Sequence, residues 1–95
     1  MIQIPDHIEN FIGGEFKPAE AGGWMDKASP SNGRLLCRVA RSGEADIQAA
    51  IRSARQAQPA WADRTAVARG DLMRCIALRM RERRAEIAHL VARET

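Results

Sequence analysis

The sequence of 95 residues carries 15 Lys and Arg against 12 Asp and Glu, a formal net charge of +3, and is 45% hydrophobic but only 4% aromatic. This length allows one domain with a modest core, and no apolar run approaches the roughly 20 residues that cross a bilayer. The first ten residues, MIQIPDHIEN, lack the basic start and apolar stretch of a signal peptide, which favours a cytoplasmic protein.

The first forty residues have the pattern of short β-strands. In NFIGGEF, residues 10–16, two glycines separate two short apolar-containing runs. Paired glycines supply the positive φ that a tight hairpin turn requires. The sequence therefore predicts a first β-hairpin here, within a β region that extends over about residues 8–40.

A second pair of strands follows along the chain. WMDKA, residues 24–28, predicts one strand, and the sequence SPSNG at 29–33 predicts the turn after it. The next segment alternates, with Leu35, Cys37 and Val39 on one face. These features predict a second hairpin.

The spacing of apolar residues becomes helical after Ser42, which is a candidate N-cap. Acidic side chains in the following turn suit the positive end of a helix dipole, and Pro59 is expected to end the helix. The sequence predicts a helix over about 43–58. Its apolar stripe consists of Ile47, Ala50, Ile51 and Ala54.

Thr65 is a candidate N-cap for a second and longer helix over about 66–95. At 1.5 Å per residue this helix is about 45 Å long, whereas a compact domain of this size is roughly 30–35 Å across. We therefore expect the helix to overhang the body and the chain to be the front end of a larger protein. The apolar stripe consists of Leu72, Met73, Ile76, Met80, Ile87, Leu90 and Val91.

The two cysteines, Cys37 and Cys75, belong to no CxxC or Cys/His spacing. We expect both to be small buried residues in a reducing compartment. A catalytic thiol would instead need a histidine or a cation directed at it.

Much of the excess positive charge lies in RMRERR, residues 79–84. Nucleic-acid binding is one interpretation of such a stretch. A solvated helix face is the other, because Glu82 and Glu86 are spaced to pair with these arginines and no aromatic residue is present to stack on a base.

Four segments taken in order resemble the N-terminal part of the aldehyde dehydrogenase superfamily. They are NFIGGEF, SPSNGRLLCRV, EADIQAAIRSARQAQPAW and RRAEIAHLVARET. Each is common alone, but the ordered set is much more specific. Ser29 stands where the family usually has Asn, and Leu78 where it often has Asp.

The resemblance implies an α+β segment, with N-terminal β-hairpins followed by two amphipathic helices, within the larger α/β aldehyde dehydrogenase fold. Residues 1–95 would form an incomplete N-terminal portion of the NAD(P)-binding domain. Family members oxidise an aldehyde to a carboxylic acid with NAD or NADP, through a thioester on a cysteine. Neither cysteine here matches that nucleophile, and no nucleotide-binding glycine motif is present, so no catalytic or cofactor-binding residue is expected in this segment.

The resemblance also implies one candidate metal site. In several family members main-chain carbonyls before the turn and a carboxylate at the end of the long helix hold a monovalent cation. The matching positions are Lys27, Ala28 and Glu94. Two alternatives stay open: these are ordinary strand and surface residues, or the Lys27 ammonium pairs with Glu94.

The sequence features therefore leave three functions open. The first is a scaffold segment of an aldehyde dehydrogenase, inactive alone, whose partners are the remaining polypeptide, an aldehyde and further copies of the parent enzyme. The second is a basic helical module that binds nucleic acid or a protein through residues 66–95. The third is self-association through the exposed apolar stripe.

Overall fold

The computed structural model describes residues 3–95, so Met1 and Ile2, which begin the stretch tested for a signal peptide, lie outside the described part. Five short strands precede three helices, which confirms the predicted α+β order. The strands are β1 (His7–Ile8), β2 (Asn10–Ile12), β3 (Glu15–Lys17), β4 (Trp24–Ala28) and β5 (Leu35–Ala40). The helices are α1 (Glu44–Asp63), α2 (Ala66–Glu82) and α3 (Arg84–Glu94).

The first predicted hairpin is present as the antiparallel pair β2–β3. Ile12 lies opposite Glu15, so Gly13 and Gly14 form a two-residue turn with φ of 63° and 80°. Both angles lie in the left-handed region, which glycine adopts without a Cβ penalty. The diglycine therefore determines where the chain reverses.

The second predicted hairpin is the antiparallel pair β4–β5. Its turn is closed by the Gly33 N–H, which donates to the Ser29 carbonyl at 2.8 Å, with Gly33 at φ 72°. A register shift between Lys27 and Ala28 leaves Leu36 as the extra residue of a β-bulge. The hairpin thus bends where it approaches the turn.

Strand β1 adds a contact that the sequence pattern did not predict. It pairs in parallel with β5, with His7 opposite Arg38, so the three-stranded sheet has the order β1-β5-β4. The His7 and Trp24 rings meet edge to face, with centroids 4.6 Å apart. Strand β5 is therefore central and β4 is an edge.

Helix α1 differs from its prediction at both ends. Gly43, not Ser42, is the N-cap: its N–H donates to the Asp46 carboxylate at 2.9 Å, while the Ser42 hydroxyl donates to the Asn10 side chain at 2.8 Å. Pro59 lies inside the helix, which continues to Asp63. A proline removes one backbone hydrogen bond, and this stretch of α1 is exposed, so water can satisfy the carbonyl released.

The long helix predicted over 66–95 is divided in two. Thr65 caps α2 as predicted, with its Oγ1 accepting from the Ala68 N–H at 3.1 Å. The break is at Arg83, where φ is −104° and ψ is 20°, and where Arg83 Nε donates to Glu86 at 2.7 Å. The helical hydrogen bonds resume after this residue, with the Ile87 N–H donating to the Arg83 carbonyl at 3.1 Å.

The core of the described chain is small. Only Ala19, Ser29, Cys37 and Ala40 are buried among residues 3–95, and none of them lies in a helix. The radius of gyration is 16.8 Å, with extents of 48 × 35 × 17 Å, against about 12–13 Å for a compact chain of this length. Among residues 3–95, no helix is long and apolar enough to cross a membrane.

Candidate functional site

The predicted cation residues lie at a corner between strand β4 and the end of helix α3. Lys27 on β4 is half-buried, and its ammonium Nζ lies 3.4 Å from the main-chain carbonyl oxygen of Glu94 at the end of α3. This distance is longer than the 2.7–3.2 Å usual for such a bond. Within residues 3–95, Lys27 and the Glu94 carboxylate form no ion pair, so the ammonium meets the helix end rather than the side chain.

The strand register indicates which main-chain carbonyls are free at this corner. The Arg41 N–H donates to the Gly23 carbonyl at 2.9 Å, and hydrogen-bonded and non-hydrogen-bonded pairs alternate along an antiparallel ladder. Lys27, opposite Cys37, is then a hydrogen-bonded position whose carbonyl faces β5. The Ala28 carbonyl faces the open edge of β4.

The residues at the corner therefore fit a cation in part. The Ala28 carbonyl and the exposed Glu94 carboxylate offer oxygen atoms that could act as ligands to a cation. The last carbonyls of a helix also carry the negative end of its dipole. The Lys27 carbonyl is engaged in the ladder, and the Lys27 ammonium supplies positive charge at the same place. No cluster of three His, Cys, Asp or Glu residues occurs in the described part of the chain.

The two thiols differ in exposure, which corrects half of the expectation made from sequence. Cys37 is buried on β5 as expected, but Cys75 is exposed on α2. Cysteine is commonly buried because it behaves as a small apolar side chain, but no residue of α2 is buried. Both thiols are free.

The arginine-rich stretch carries its own counter-charges. Arg79 lies 4.0 Å from Glu82 and Arg83 lies 2.7 Å from Glu86, each pair three residues apart on the helical surface. All four side chains are substantially exposed, so these pairs contribute little to stability. Acids alternate with arginines, which favours the solvated face over a nucleic-acid interface.

Another exposed feature is a row of apolar side chains on α2 and α3, here called the helix stripe. No residue of either helix is buried, and the stripe residues expose between 37% and 55% of their surface, apart from the half-buried Leu90. A monomeric soluble protein rarely exposes a continuous apolar surface of this kind. The stripe comprises Leu72, Met73, Ile76, Met80, Ile87, Leu90 and Val91.

Two further surfaces were not predicted from the sequence. Phe11 and Phe16 face each other across β2–β3 with centroids 4.9 Å apart, yet expose 63% and 71% of their surface. A cleft of about 420 Å³ also lies between the β4–β5 turn and α3, with Arg34 and Arg93 in its lining. The cross-strand phenylalanines could have been read from the hairpin register, but no sequence signal links residues 34 and 93.

Comparison with known proteins gives consistent matches. Residues 16–95 match the sequence model of the aldehyde dehydrogenase family. The 2-aminomuconic semialdehyde dehydrogenase of Bos taurus is 33% identical over 87 residues, covering 92% of this chain and 18% of that protein. An aldehyde dehydrogenase of Vibrio cholerae is 34% identical over 79 residues, covering 83% of this chain and 16% of its own length.

A solved structure has the same arrangement of elements. The crystal structure of PnpE in complex with nicotinamide adenine dinucleotide superimposes with a TM-score of 0.88 and 37% sequence identity. The match covers 90% of this chain and 18% of that one. The chain thus spans less than a fifth of the length of each of these relatives.

Proposed function

Because the chain belongs to the aldehyde dehydrogenase family, we propose that it forms the N-terminal scaffold of an NAD(P)-dependent enzyme that oxidises an aldehyde to a carboxylic acid. The observation that supports this most directly is the likeness to PnpE, whose crystal structure holds NAD, at 37% identity and a TM-score of 0.88. Identity at this level supports a shared function as well as a shared fold.

The role proposed for these residues is structural. NAD(P) would accept the hydride released when the aldehyde carbon is oxidised, with a cysteine of the parent enzyme carrying the acyl group as a thioester. Neither the buried Cys37 nor the exposed Cys75 is assigned that role. We assign no nucleotide-binding role to the described residues either, because the paired glycines Gly13-Gly14 and Gly22-Gly23 have the spacing of turns rather than of a phosphate-binding loop.

The helix stripe is proposed to pack against the remaining polypeptide of the parent enzyme. Its members expose between 37% and 55% of their surface while the chain itself buries few side chains, so its apolar area is available for docking. The free thiols suit a reducing, cytoplasmic location. We further propose that the parent enzyme is a homo-oligomer.

We also propose that the corner of Ala28, Lys27 and Glu94 takes a monovalent cation in the parent enzyme. The free Ala28 carbonyl and the Glu94 carboxylate would be its protein ligands, with the Lys27 ammonium as a competitor 3.4 Å from the Glu94 carbonyl. Lys27→Met removes the ammonium but leaves the main chain, so it should strengthen stabilisation by potassium over tetramethylammonium at equal ionic strength. Glu94→Gln should abolish that difference, and a Tm equal in both salts for every variant would refute the site.

A chimera tests the scaffold function. This chain would replace the matching segment of the Vibrio cholerae relative, and NADH or NADPH formation from a panel of aldehydes would be followed by absorbance. We expect the chimera to be active and the same enzyme lacking the segment to be inactive. A soluble, folded chimera without activity on any aldehyde would contradict the proposal.

A further inference from the structure

A second site is suggested by the cleft of about 420 Å³ between the β4–β5 turn and the last two turns of α3. Its lining residues include two arginines, one histidine, two serines and one asparagine, and no Asp or Glu is among them. These residues are Arg34, Arg93, His89, Ser29, Ser31 and Asn32. The turn and the helix end are more than fifty residues apart in sequence, so only the fold brings them together.

Hydrogen bonds within the turn engage several of its polar groups and leave one side-chain donor. The carbonyl of Ser29 accepts from the Gly33 N–H at 2.8 Å, and the carbonyl of Arg34 accepts from the Ser29 N–H at 2.7 Å. The Asn32 side-chain oxygen accepts from the Arg34 N–H at 2.9 Å, which leaves the Asn32 amide NH₂ as a donor. The Asn32 amide is therefore a donor that a ligand at this cleft could use.

The hydroxyls supply a further donor. Ser29 is buried, with 8% of its surface exposed, and its Oγ lies 3.0 Å from Ser31 Oγ. One hydroxyl donates to the other, so the second hydroxyl still has a hydrogen to donate. Ser29 is buried and Ser31 is exposed, so the pair extends from the interior of the turn to its surface and can donate to a ligand that accepts hydrogen bonds.

The two arginines lack counter-ions within residues 3–95. The ion pairs of the described chain involve Lys17, Arg38, Arg79 and Arg83, and neither Arg34 nor Arg93. Two unpaired guanidiniums beside one cleft form a positive site, although the negative end of the α3 dipole lies nearby. An anionic ligand that accepts N–H hydrogen bonds from both guanidinium groups would neutralise their charge.

We propose that this cleft binds an oxyanion of phosphate size, held by Arg34 and Arg93 together with the hydroxyl and amide donors of the turn. The oxyanion is either free inorganic phosphate or the phosphate of a small monoester, and both present the same acceptor oxygens. Because the dipole of α3 opposes binding, both arginines are needed. The site is independent of the scaffold function proposed above.

Amide NMR of the 95-residue chain tests the site, with sodium phosphate, AMP and sodium chloride titrated at matched pH and ionic strength. We expect saturable shifts of the amides of residues 31–34 and 89–93 with one or both phosphate compounds. Saturation by AMP alone would identify a monoester, whereas saturation by inorganic phosphate would identify the free ion as sufficient. Shifts that do not saturate, or that chloride reproduces, overturn the proposal.

Substitutions separate the site from general charge attraction. The double variant Arg34→Gln, Arg93→Gln should weaken binding at least tenfold, and Arg34→Lys, Arg93→Lys should weaken it less because the charge remains. Arg79→Gln is the matched control, since this side chain is 84% exposed and lies outside the cleft; it should change affinity less than twofold. Circular dichroism verifies that each variant is folded, and full affinity in the double Gln variant would overturn the site.

Discussion

Truncating one residue of the helix stripe tests whether that surface packs against the remaining enzyme. Ile76 and Leu78 expose 46% and 49% of their surface on α2, but two residues on a helix are separated by about 200° of rotation. Ile76 lies on the stripe, and Leu78 lies on the opposite face. Ile76→Ala and Leu78→Ala therefore remove similar side chains of nearly equal exposure from opposite sides of the helix.

The size of the effect follows from the exposed fractions. Complete burial of an aliphatic side chain stabilises by about 1.5–3 kcal/mol, so the 46% of Ile76 still exposed represents about 0.7–1.4 kcal/mol available on docking. In the 95-residue chain, Ile76→Ala should cost under about 1 kcal/mol, because the side chain is half exposed and alanine favours the helix. In the chimera the cost should rise to about 2–5 kcal/mol, since a packed site then loses its methyl groups and leaves a cavity.

Urea denaturation of the chain and the chimera, followed by circular dichroism, measures both costs. Leu78→Ala should have the same effect, within about 0.5 kcal/mol, in the two proteins, because a surface position away from contacts is insensitive to context. Equal costs of Ile76→Ala in chain and chimera would refute the docking of this stripe. If Leu78→Ala lowered the free energy of unfolding of the chimera more than Ile76→Ala, the buried face of α2 would be the one that carries Leu78, contrary to the proposal.

Three further results are expected. The chain without the rest of an enzyme should show no dehydrogenase activity and no saturable NAD binding by calorimetry. Its exposed stripe should also make it marginally stable, self-associating or dye-binding. A sharp cooperative melt from a monomer without dye binding would contradict this stability prediction. Gly14→Ala should destabilise the first hairpin by about 1–2 kcal/mol because φ is 80° there. Gly70→Ala lies inside α2 with open space around it and should stabilise the chain by up to about 1 kcal/mol. Urea midpoints of the two variants that move in the same direction would be inconsistent with this. Thr65→Ala should cost about 0.5–2 kcal/mol through loss of the cap to the Ala68 N–H, and Thr65→Ser, which keeps the hydroxyl, should cost less in the same assay.

Local chemistry determined much of this fold from the sequence alone. Gly13 and Gly14 set the first hairpin because glycine adopts two consecutive positive φ angles without a Cβ penalty. Thr65 started α2 at the predicted residue because its hydroxyl satisfies a backbone donor that the helix leaves free. Strand β4 has the bounds predicted from the sequence, residues 24–28, because the turn at 29–33 ends the strand.

Interactions between distant residues decided the rest. The parallel pairing of β1 with β5 joins residues far apart in the chain. Gly43 replaces Ser42 as the helix cap because the Ser42 hydroxyl donates to the distant Asn10 side chain instead. The sequence placed Lys27 and Glu94 near each other only through a family resemblance, and the contact of the Lys27 ammonium with the Glu94 main chain needed the fold. Periodicity reports which face of a helix is apolar, but the exposure of Cys75 and the break at Arg83 depend on what packs beside the helix.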